Sequence, residues 1–234
     1  MPTEREVQRL SAVYQQYRER GTAETRWSED NAGNRAIIRE RTAVLESLLR
    51  AARWLPLAGC RILDVGCGVG TVLASFARWG ALPDDLYGVD LLPDRIAEAQ
   101  QLYPEIHFQH ANAERLDFQD AAFDLVLLFT VFTSILSTRM AHNVADEVSR
   151  VLKPGGAAVW YDFRYDNPRN PNVRGMPSAA IRALFPDFDL RLRTVTLLPP
   201  LARRLGRATP VLYPALALIP PLRTHYLGLL VKHS

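Results

Sequence analysis

The chain has 234 residues, of which 48% are hydrophobic, enough for one large domain with a full core or one domain with appendages. It has neither an uninterrupted apolar run of membrane-spanning length nor a charged-then-apolar leader, so a soluble cytoplasmic protein is expected. Cys60 and Cys67 lie too close together for a disulfide framework or a metal site and are expected to be free thiols.

The net charge of +3 hides an asymmetry along the chain. Residues 1–163 hold 17 basic and 22 acidic side chains, a balance of −5, whereas residues 164–234 hold 11 basic and 3 acidic ones, a balance of +8. A basic surface of this kind can face nucleic acid, an anionic membrane or an acidic small molecule. Ordinary solvated arginines are the alternative, since nearly every basic residue here is Arg.

Two helices are predicted ahead of the first strand. Apolar residues recur at helical spacing within residues 1–20 and again within residues 35–53, where Asn31 or Asn34 can cap the helix. The polar stretch between the two segments predicts a break.

Residues 61–70, with the sequence RILDVGCGVG, predict a buried strand, a tight turn and the start of a helix that covers residues 71–78. Glycines suit such a turn because they adopt backbone angles that other residues avoid, and because the missing Cβ lets a ligand approach the main chain. The spacing is G-x-G-x-G rather than the G-x-G-x-x-G of dinucleotide sites. Asp64, at the strand end, opposes a phosphate but suits an ammonium group or a water bound to one.

A second carboxylate, Asp90, ends the next predicted strand, residues 86–89. The pattern D-x-G-x-G-x-G followed by this acid resembles the class I S-adenosylmethionine (SAM)-dependent methyltransferases. The sequence R-V-L-K-P-G-G at residues 150–156 is similar to another signature of that family. The resemblance implies that SAM is the cofactor, that S-adenosyl-L-homocysteine is its product, and that Asp90 binds both ribose hydroxyls.

A predicted helix over residues 93–102 and a strand within residues 106–112 lead to a third motif. In the family an acidic residue before the position of Ala113 usually contacts the adenine amine. Here that residue is Asn112, whose amide oxygen can accept the same hydrogen bond. The cofactor-binding residues that the resemblance implies are Asp64, Gly66, Cys67, Gly68, Gly70, Asp90, Leu91, Asn112, Ala113 and Phe129.

The fourth predicted strand, residues 123–129, is followed by Thr130 and Thr133. DNA adenine and cytosine N-methyltransferases have an Asn/Asp-Pro-Pro-aromatic motif here, and metal-dependent catechol-type enzymes have carboxylates. This chain has neither, so no DNA substrate and no metal site are expected. We expect instead an apolar substrate environment with two hydroxyl groups.

A helix ending at Lys153 and a fifth strand over residues 157–161 lead into a polar loop. Ligands of open α/β sheets bind outside the carboxyl ends of the strands, so this loop is expected at the mouth of the site. Asp162 is the first candidate for a general base, with Asp166 and His142 as further candidates. A solvated loop that only connects two elements is the alternative.

Residues 190–198 predict a sixth strand and residues 224–234 a seventh. The segment between them, residues 199–223, holds six prolines, which exclude a long straight helix. It is an insertion relative to the family, which joins these strands by a short hairpin. It is expected to cover the substrate pocket, to pack on its own domain, or to lie on a membrane with three arginines at the head groups. These arginines are Arg203, Arg204 and Arg207.

Periodicity alone predicts an α/β doubly wound fold. The resemblance, over residues 55–234, implies a mostly parallel, Rossmann-like sheet of seven strands with a final antiparallel strand and the insertion at 199–223. Residues 1–54 are expected to form an N-terminal helical lid over the cofactor, with plain packing of the first helix on the domain as the alternative, above all for Tyr14. Substrate contacts are then expected from Tyr14, Tyr17, Trp27, Thr130, Thr133, Arg164 and Tyr165.

The leading functional hypothesis is a SAM-dependent methyltransferase acting on an O, N or C atom of a small molecule. A natural product, a sugar or a lipid-linked intermediate would suit the aromatic and polar loops. Peripheral membrane contact through residues 199–223 belongs to the same hypothesis. Two alternatives stay open: an RNA or protein methyltransferase that uses the basic C-terminal region, and a SAM-fold binding protein without catalysis.

Overall fold

The fold is known from a computed structural model, which describes residues 2–21 and 28–233. Seven strands in this part of the chain form one sheet, flanked by helices on both faces. The strands are β1 (Ile62–Val65), β2 (Leu86–Asp90), β3 (His107–His110), β4 (Phe123–Phe129), β5 (Leu152–Phe163), β6 (Phe188–Leu197) and β7 (Arg223–Lys232). The helices are α1 (Pro2–Glu19), α2 (Ala32–Ala51), α3 (Thr71–Ala74), α4 (Pro93–Leu102), α5 (Thr138–Val151), α6 (Ser178–Leu184), α7 (Pro199–Arg204) and α8 (Thr209–Ala217).

The strand order is β3-β2-β1-β4-β5-β7-β6. Strands β1 to β5 run parallel, and β7 is antiparallel to both of its neighbours, β5 and β6. The predicted α/β doubly wound sheet with a final antiparallel strand is therefore confirmed. The strand order reverses between β1 and β4, and in such sheets the crevice at the carboxyl ends of these two strands is where ligands bind.

Hydrophobic side chains cover both faces of the sheet. On one face, α5 and α6 pack over a cluster that includes Phe132, Trp160 and Phe185. On the other, α2 and the 3-10 turn Ser75–Trp79 pack over a cluster that includes Leu127. A parallel sheet needs burial on both faces, and this explains the nearly continuous apolar runs of β1 and β4.

Helix α2 begins with the N-cap that one of the two predicted asparagines provides. The Oδ1 atom of Asn31 accepts hydrogen bonds from the backbone N of Gly33, at 2.9 Å, and of Asn34, at 3.2 Å. These bonds satisfy two of the free N–H groups of the first turn.

Two predicted boundaries are wrong. The fifth strand begins at Leu152 rather than at residue 157, because Leu152 pairs with Phe123 and the β4–β5 register then shifts. A bulge with Gly155 at φ 74° absorbs the Lys-Pro-Gly-Gly stretch that the pattern predicted as a helix stop. The helix predicted over residues 71–78 is α-helical only to Ala74 and continues as the 3-10 turn.

Residues 199–222 form short helical pieces that pack on α2 at the carboxyl-end edge of the sheet. A Cβ atom on Gly33 would lie 2.1 Å from the carbonyl oxygen of Ala202, so α2 and α7 touch through their backbones. Tyr213 of α8 donates a hydrogen bond of 2.7 Å to Glu40 of α2. Within the described ranges, no helix is both long and apolar enough to cross a membrane.

Candidate cofactor and active site

A cavity lies where the carboxyl ends of β1, β2 and β4 meet, at the point where the strand order reverses. It encloses about 920 Å³ of space, including its open mouth. Among its lining residues are Gly66 and Gly68 after β1, Asp90 at the end of β2, and Phe129 and Thr130 at the end of β4. These five predicted site residues, far apart in the sequence, are thus brought together by the sheet.

Asp90 holds the glycine turn in place. Its Oδ2 atom accepts a hydrogen bond of 2.8 Å from the backbone N of Gly68, and Oδ1 accepts one of 2.9 Å from Leu92. Gly68 has φ 56° and Gly66 has φ 74°, angles that glycine adopts without strain. Each carboxylate oxygen keeps a second lone pair with which it can accept a ligand hydroxyl.

Asp64 is a buried carboxyl group without a partner. Its exposed fraction is 2%, and it forms no hydrogen bond with any other residue in the described ranges. Burial, and then the nearby charge of Asp90, raises the pKa of Asp64 well above its usual value. A nearby cation would strongly stabilise the ionised form of such a buried carboxyl group. A ligand bound against the adjacent glycine turn would place its cation there.

Three further predicted residues line the other end of the cavity: Leu91, Asn112 and Ala113. The side-chain oxygen of Asn112 accepts a hydrogen bond of 3.1 Å from the backbone N of Glu114, and its amide nitrogen donates to that residue's carboxylate at 3.2 Å. The amide is therefore fixed in one orientation, with its oxygen directed at the main chain.

Besides Asp64, two further predicted cofactor residues, Cys67 and Gly70, do not line the cavity. The Cys67 thiol points into the core, where a Cβ atom on Gly88 would lie 2.9 Å from its Sγ atom. Burial and the charge of Asp64 raise its pKa. Gly70, at φ 81°, lets the Phe108 ring approach, since a Cβ atom there would lie 2.5 Å from the ring. Both residues pack on the side of the turn that faces the core, and their contact with a cofactor stays a prediction.

The strand ends next to the cavity carry stacked rings. Arg41 of α2 lies over Phe129 and Tyr161, with its Cζ atom 5.4 and 5.2 Å from the two ring centroids. His225 stacks on Tyr161 at a centroid distance of 4.8 Å. Burial, and then the charge of Arg41, lowers the pKa of His225 to about 3, so this imidazole is neutral. We term these rings, with the Arg41 cation beside them, the aromatic floor; Phe129 and Tyr161 are tilted by 38° to each other, and Arg41, Tyr161 and His225 are not among the residues that line the cavity.

Thr130 has a strained backbone beside this floor. It is β-branched and has φ 58°, a conformation rare for such residues. Its backbone N donates a bond of 2.7 Å to the carbonyl of Tyr161, which holds it there. Strain of this kind gathers at ligand sites.

Helix α1 covers the cavity. Leu10 and Tyr14 line it, and the Tyr14 hydroxyl lies 3.0 Å from the Oγ atom of Ser134. Glu6 ties the helix down, because its Oε1 atom accepts a hydrogen bond of 2.6 Å from the backbone N of Leu136. Burial opposes ionisation of Glu6, but bonds from Arg9 and the backbone outweigh it and lower the pKa.

Tyr17, a further aromatic residue of the predicted lid, does not line the cavity. Tyr17 is hydrogen-bonded to Asn170, whose Nδ2 atom donates to its hydroxyl at 3.1 Å. Trp27 lies outside the described residues.

Asp162, the first candidate base, does not line the cavity either. Its exposed fraction is 1%, and its carboxylate accepts hydrogen bonds of 2.9 Å from the backbone N of Thr133 and of Phe163. Burial raises its pKa to about 7, although these bonds lower it. The carboxyl group therefore anchors the 3-10 turn Phe132–Ser134, whose neighbours line the cavity. Its role as a base stays a prediction.

The other candidates from the loop and from α5 also lie away from the cavity. Exposed Asp166 accepts a hydrogen bond of 2.8 Å from Gly175, and exposed His142 is bonded through Nδ1 to the carbonyl of Thr138 on its own helix. Thr133, a predicted substrate residue, does not line the cavity either, and its hydroxyl donates a hydrogen bond of 2.6 Å to the Arg174 carbonyl.

The predicted substrate residues Arg164 and Tyr165 stack on each other, with the Arg164 Cζ atom 4.5 Å from the ring centroid. Neither of them lines the cavity, and Tyr165 is 43% exposed. Their contact with a substrate stays a prediction.

Arg95 and Met140 line the cavity but are absent from the predicted set. Arg95 could have been found, because it falls in the first turn of the helix after Asp90, at a strand's carboxyl end. Met140 gives no such signal, since it lies on the apolar side of α5 like any core residue. The part of the chain that the structure describes holds no cluster of three metal-ligating side chains.

This arrangement defines an α/β protein with a cavity at its topological switch point. Residues 62–156 match the sequence model of a family described as methyltransferase domain. The chain is 36% identical over 118 residues to a demethylmenaquinone methyltransferase of Chlorobaculum parvum. The aligned stretch covers 49% of this chain and 44% of the relative. It is 37% identical over 109 residues to a ubiquinone biosynthesis O-methyltransferase of Maricaulis maris, covering 44% and 41%.

The fold is also similar to solved structures. A SAM-dependent methyltransferase of Methanosarcina mazei superposes with a TM-score of 0.57 at 19% identity, covering 79% of this chain and 97% of that one. Residues 62–156 therefore match a methyltransferase domain, and the fold around them is shared with a solved SAM-dependent methyltransferase. The matched stretches span less than half the length of the two curated relatives.

Proposed function

We propose that the protein transfers the methyl group of SAM to an O, N or C atom of a small molecule. The observation that carries this proposal is the unpartnered, buried Asp64 beside the glycine turn. The methionine part of SAM carries an ammonium group, which a carboxylate in that place would pair with. SAM supplies a methyl group already activated by a sulfonium, so the protein has mainly to align the acceptor and exclude water.

The residues around the cavity fit the other parts of this cofactor. Asp90 keeps free lone pairs for two hydroxyls, and Leu91 and Ala113 offer apolar surface for a flat base. Arg95, whose Cζ atom lies 5.7 Å from the Tyr14 ring centroid, forms no ion pair with another described residue. It can therefore pair with the carboxylate of the methionine part.

A small, flat acceptor is supported by the aromatic floor at the ends of β4 and β5. Phe129 reaches the cavity, and the Arg41 guanidinium above it has no acidic partner in the described ranges. The neighbouring acid, Glu40, already accepts hydrogen bonds from Thr196 and Tyr213. Arg41 thus suits an acceptor that carries an acidic group. One of the two relatives is named a demethylmenaquinone methyltransferase and the other a ubiquinone biosynthesis O-methyltransferase, and the flat ring of a quinone agrees with a flat acceptor.

A thermal melt with SAM, S-adenosyl-L-homocysteine and NAD tests the cofactor part of the proposal. A ligand at about a hundred times its Kd adds about 2.7 kcal/mol. For a chain of this size that is a shift of about 5–10 °C. We expect this shift with the first two ligands and none with NAD. No shift with any of them would favour the non-catalytic alternative. In a separate measurement, acceptor turnover that falls steeply with salt would favour the alternative that the substrate is RNA.

The pKa of Asp64 predicts that SAM binding depends on pH. Because this carboxyl is neutral in the free protein below its raised pKa, pairing with an ammonium must release a proton. SAM affinity should fall about tenfold for each pH unit below that pKa. We expect Asp64→Asn to bind SAM more weakly and to lose this dependence, as measured by titration calorimetry. The exposed Asp84→Asn should keep the wild-type profile, and an unchanged profile in Asp64→Asn would exclude the ammonium contact.

We propose that residues 1–54 act as a lid through α1, which lies over the cavity. Glu6→Gln should loosen it, because an amide accepts more weakly from Leu136 and no longer pairs with Arg9. The hydrogen-exchange rate of the α1 amides should rise roughly tenfold, because the local stability of the helix falls by about 1–2 kcal/mol. The exposed Glu19→Gln is the control. Unchanged exchange in Glu6→Gln would show that the anchor does not hold α1.

A further inference from the structure

The segment after β6 carries an exposed apolar surface. Among the residues that the structure describes, eight large hydrophobic side chains are exposed, and five of these lie within residues 198–219. They form what we term the insertion patch: Leu198, Val211, Leu212, Leu218 and Ile219. Val211 and Leu218 are 74% and 77% exposed. Single exposed hydrophobic residues are ordinary, but a group of them marks an interaction surface.

Two residues of the patch, Val211 and Leu212, lie on α8, Leu218 and Ile219 directly follow its end, and Leu198 precedes α7. The inward face of α8 is set by Thr209, Tyr213 and Ala217, spaced four residues apart and buried against α2 and β6. Val211 lies on the other side of the helix axis. A surface helix normally presents charged or polar residues there, but residues 209–219 contain no charged residue. The helix is therefore apolar on both faces, although only one of them is covered.

The charges around the patch have one sign. Residues 199–222 contain three arginines and no acidic residue, and Arg204 and Arg207 are exposed just before α8. An apolar face bordered by arginines is typical of segments that lie in the head-group layer of a membrane. The long arginine side chains can reach lipid phosphates while their stems stay on apolar surface.

The segment that carries the patch is held to the rest of the protein by hydrogen bonds. The side-chain amide of Asn31 donates a hydrogen bond of 3.1 Å to the carbonyl of Arg203, and Leu198 donates one of 2.8 Å to the carbonyl of Leu222. Arg223 donates through Nε to the carbonyl of Ala217, at the end of α8. The apolar side chains are thus presented by a packed element and need no refolding to meet a surface.

We propose that the insertion patch docks on a lipid bilayer that contains anionic lipid, with Val211 and Leu218 among the head groups and Arg204 and Arg207 at the phosphates. Because the patch follows β6 at the carboxyl-end edge of the sheet, docking brings the edge that holds the cavity toward the membrane. The docking itself does not depend on methyl transfer.

Flotation with vesicles tests this proposal. The full chain should float with vesicles of phosphatidylglycerol and phosphatidylcholine, bind vesicles of phosphatidylcholine alone more weakly, and be released in part by salt. The double variant Val211→Ser, Leu218→Ser should bind the anionic vesicles at least about tenfold more weakly. Arg204→Gln with Arg207→Gln should reduce both the binding and its salt dependence. Failure of the wild-type chain to float with anionic vesicles would overturn the proposal.

Matched controls separate this result from misfolding and from the cofactor proposal. Leu82 and Leu102 are 53% and 54% exposed but lie outside the insertion, so Leu82→Ser with Leu102→Ser should float like the wild type. Each variant should keep the wild-type melting temperature and its shift with SAM. Equal loss of flotation in the control pair would refute a specific patch. A dimer that the Val211→Ser, Leu218→Ser variant abolishes, without vesicle binding by the wild type, would identify a second copy as the partner instead.

Discussion

Asp90→Ala is expected to weaken SAM binding by roughly 1.5–3 kcal/mol, about tenfold to more than a hundredfold in Kd. The carboxylate has two tasks that alanine cannot perform. It accepts the backbone hydrogen bonds of Gly68 and Leu92, which hold the cavity wall, and it is the acceptor proposed for the ribose hydroxyls. Losing it leaves two backbone N–H groups without an acceptor and removes a charge-assisted contact.

Titration calorimetry with SAM and with S-adenosyl-L-homocysteine measures this effect. Both ligands should be weakened to the same degree, because the ribose is common to them. Asp84→Ala is the matched control, since Asp84 is exposed, lies outside the cavity and precedes β2, at the end of the strand opposite to Asp90. Full affinity in Asp90→Ala would refute the ribose assignment, whereas a fall in melting temperature without a change in Kd would leave Asp90 only its structural task.

Asp162→Asn is expected to change the pH dependence of folding stability. The native pKa of about 7 lies above the unfolded value near 3.8, so the native state binds more protons over this range. Wild-type stability from this group is therefore complete below the unfolded pKa and is lost as pH rises toward 7. The asparagine variant has no proton to lose. Its free energy of unfolding relative to wild type should rise by roughly 3 kcal/mol from about pH 4 to pH 7.

Urea denaturation of both proteins across this range gives the comparison, with the exposed Asp117→Asn expected to follow the wild type. The same variant tests the predicted catalytic role of Asp162. As an anchor of the 3-10 turn, the residue can be replaced by asparagine with SAM binding retained, because the amide oxygen still accepts from Thr133. A loss of methyl transfer of about a hundredfold or more, with SAM affinity unchanged, would instead support a base.

The cofactor side of the site could be predicted because its requirements are local. A turn that brings the main chain against a ligand needs glycine, and Gly66 and Gly68 stand at the end of a buried run that can only be a strand. Asp90 ends the next strand, and parallel strands place their carboxyl ends at one edge. Sequence pattern and sheet geometry together were sufficient for these residues.

The acceptor side could not be predicted in the same way. The pattern places Asp162 just after the fifth strand, but this strand continues to Phe163, so that Asp162 pairs with Tyr226 and is buried. Thr133 follows β4 and is buried as well, which nothing in its sequence neighbours indicates. Arg41 belongs to a helix whose pattern predicts only an amphipathic face, and its position over Phe129 depends on how α2 crosses the sheet. Side-chain direction after a strand end depends on long-range packing, which periodicity does not encode.

What the sequence by itself determined is the doubly wound sheet, the glycine turn and the acid at the end of β2, because each follows from backbone geometry over a few residues. Only the tertiary structure decided that Cys67 faces the core, that α1 covers the cavity through Glu6 and Tyr14, and that α8 leaves an apolar face uncovered. These features depend on which surfaces meet across the fold, and the free energy of that choice comes from burial summed over distant parts of the chain.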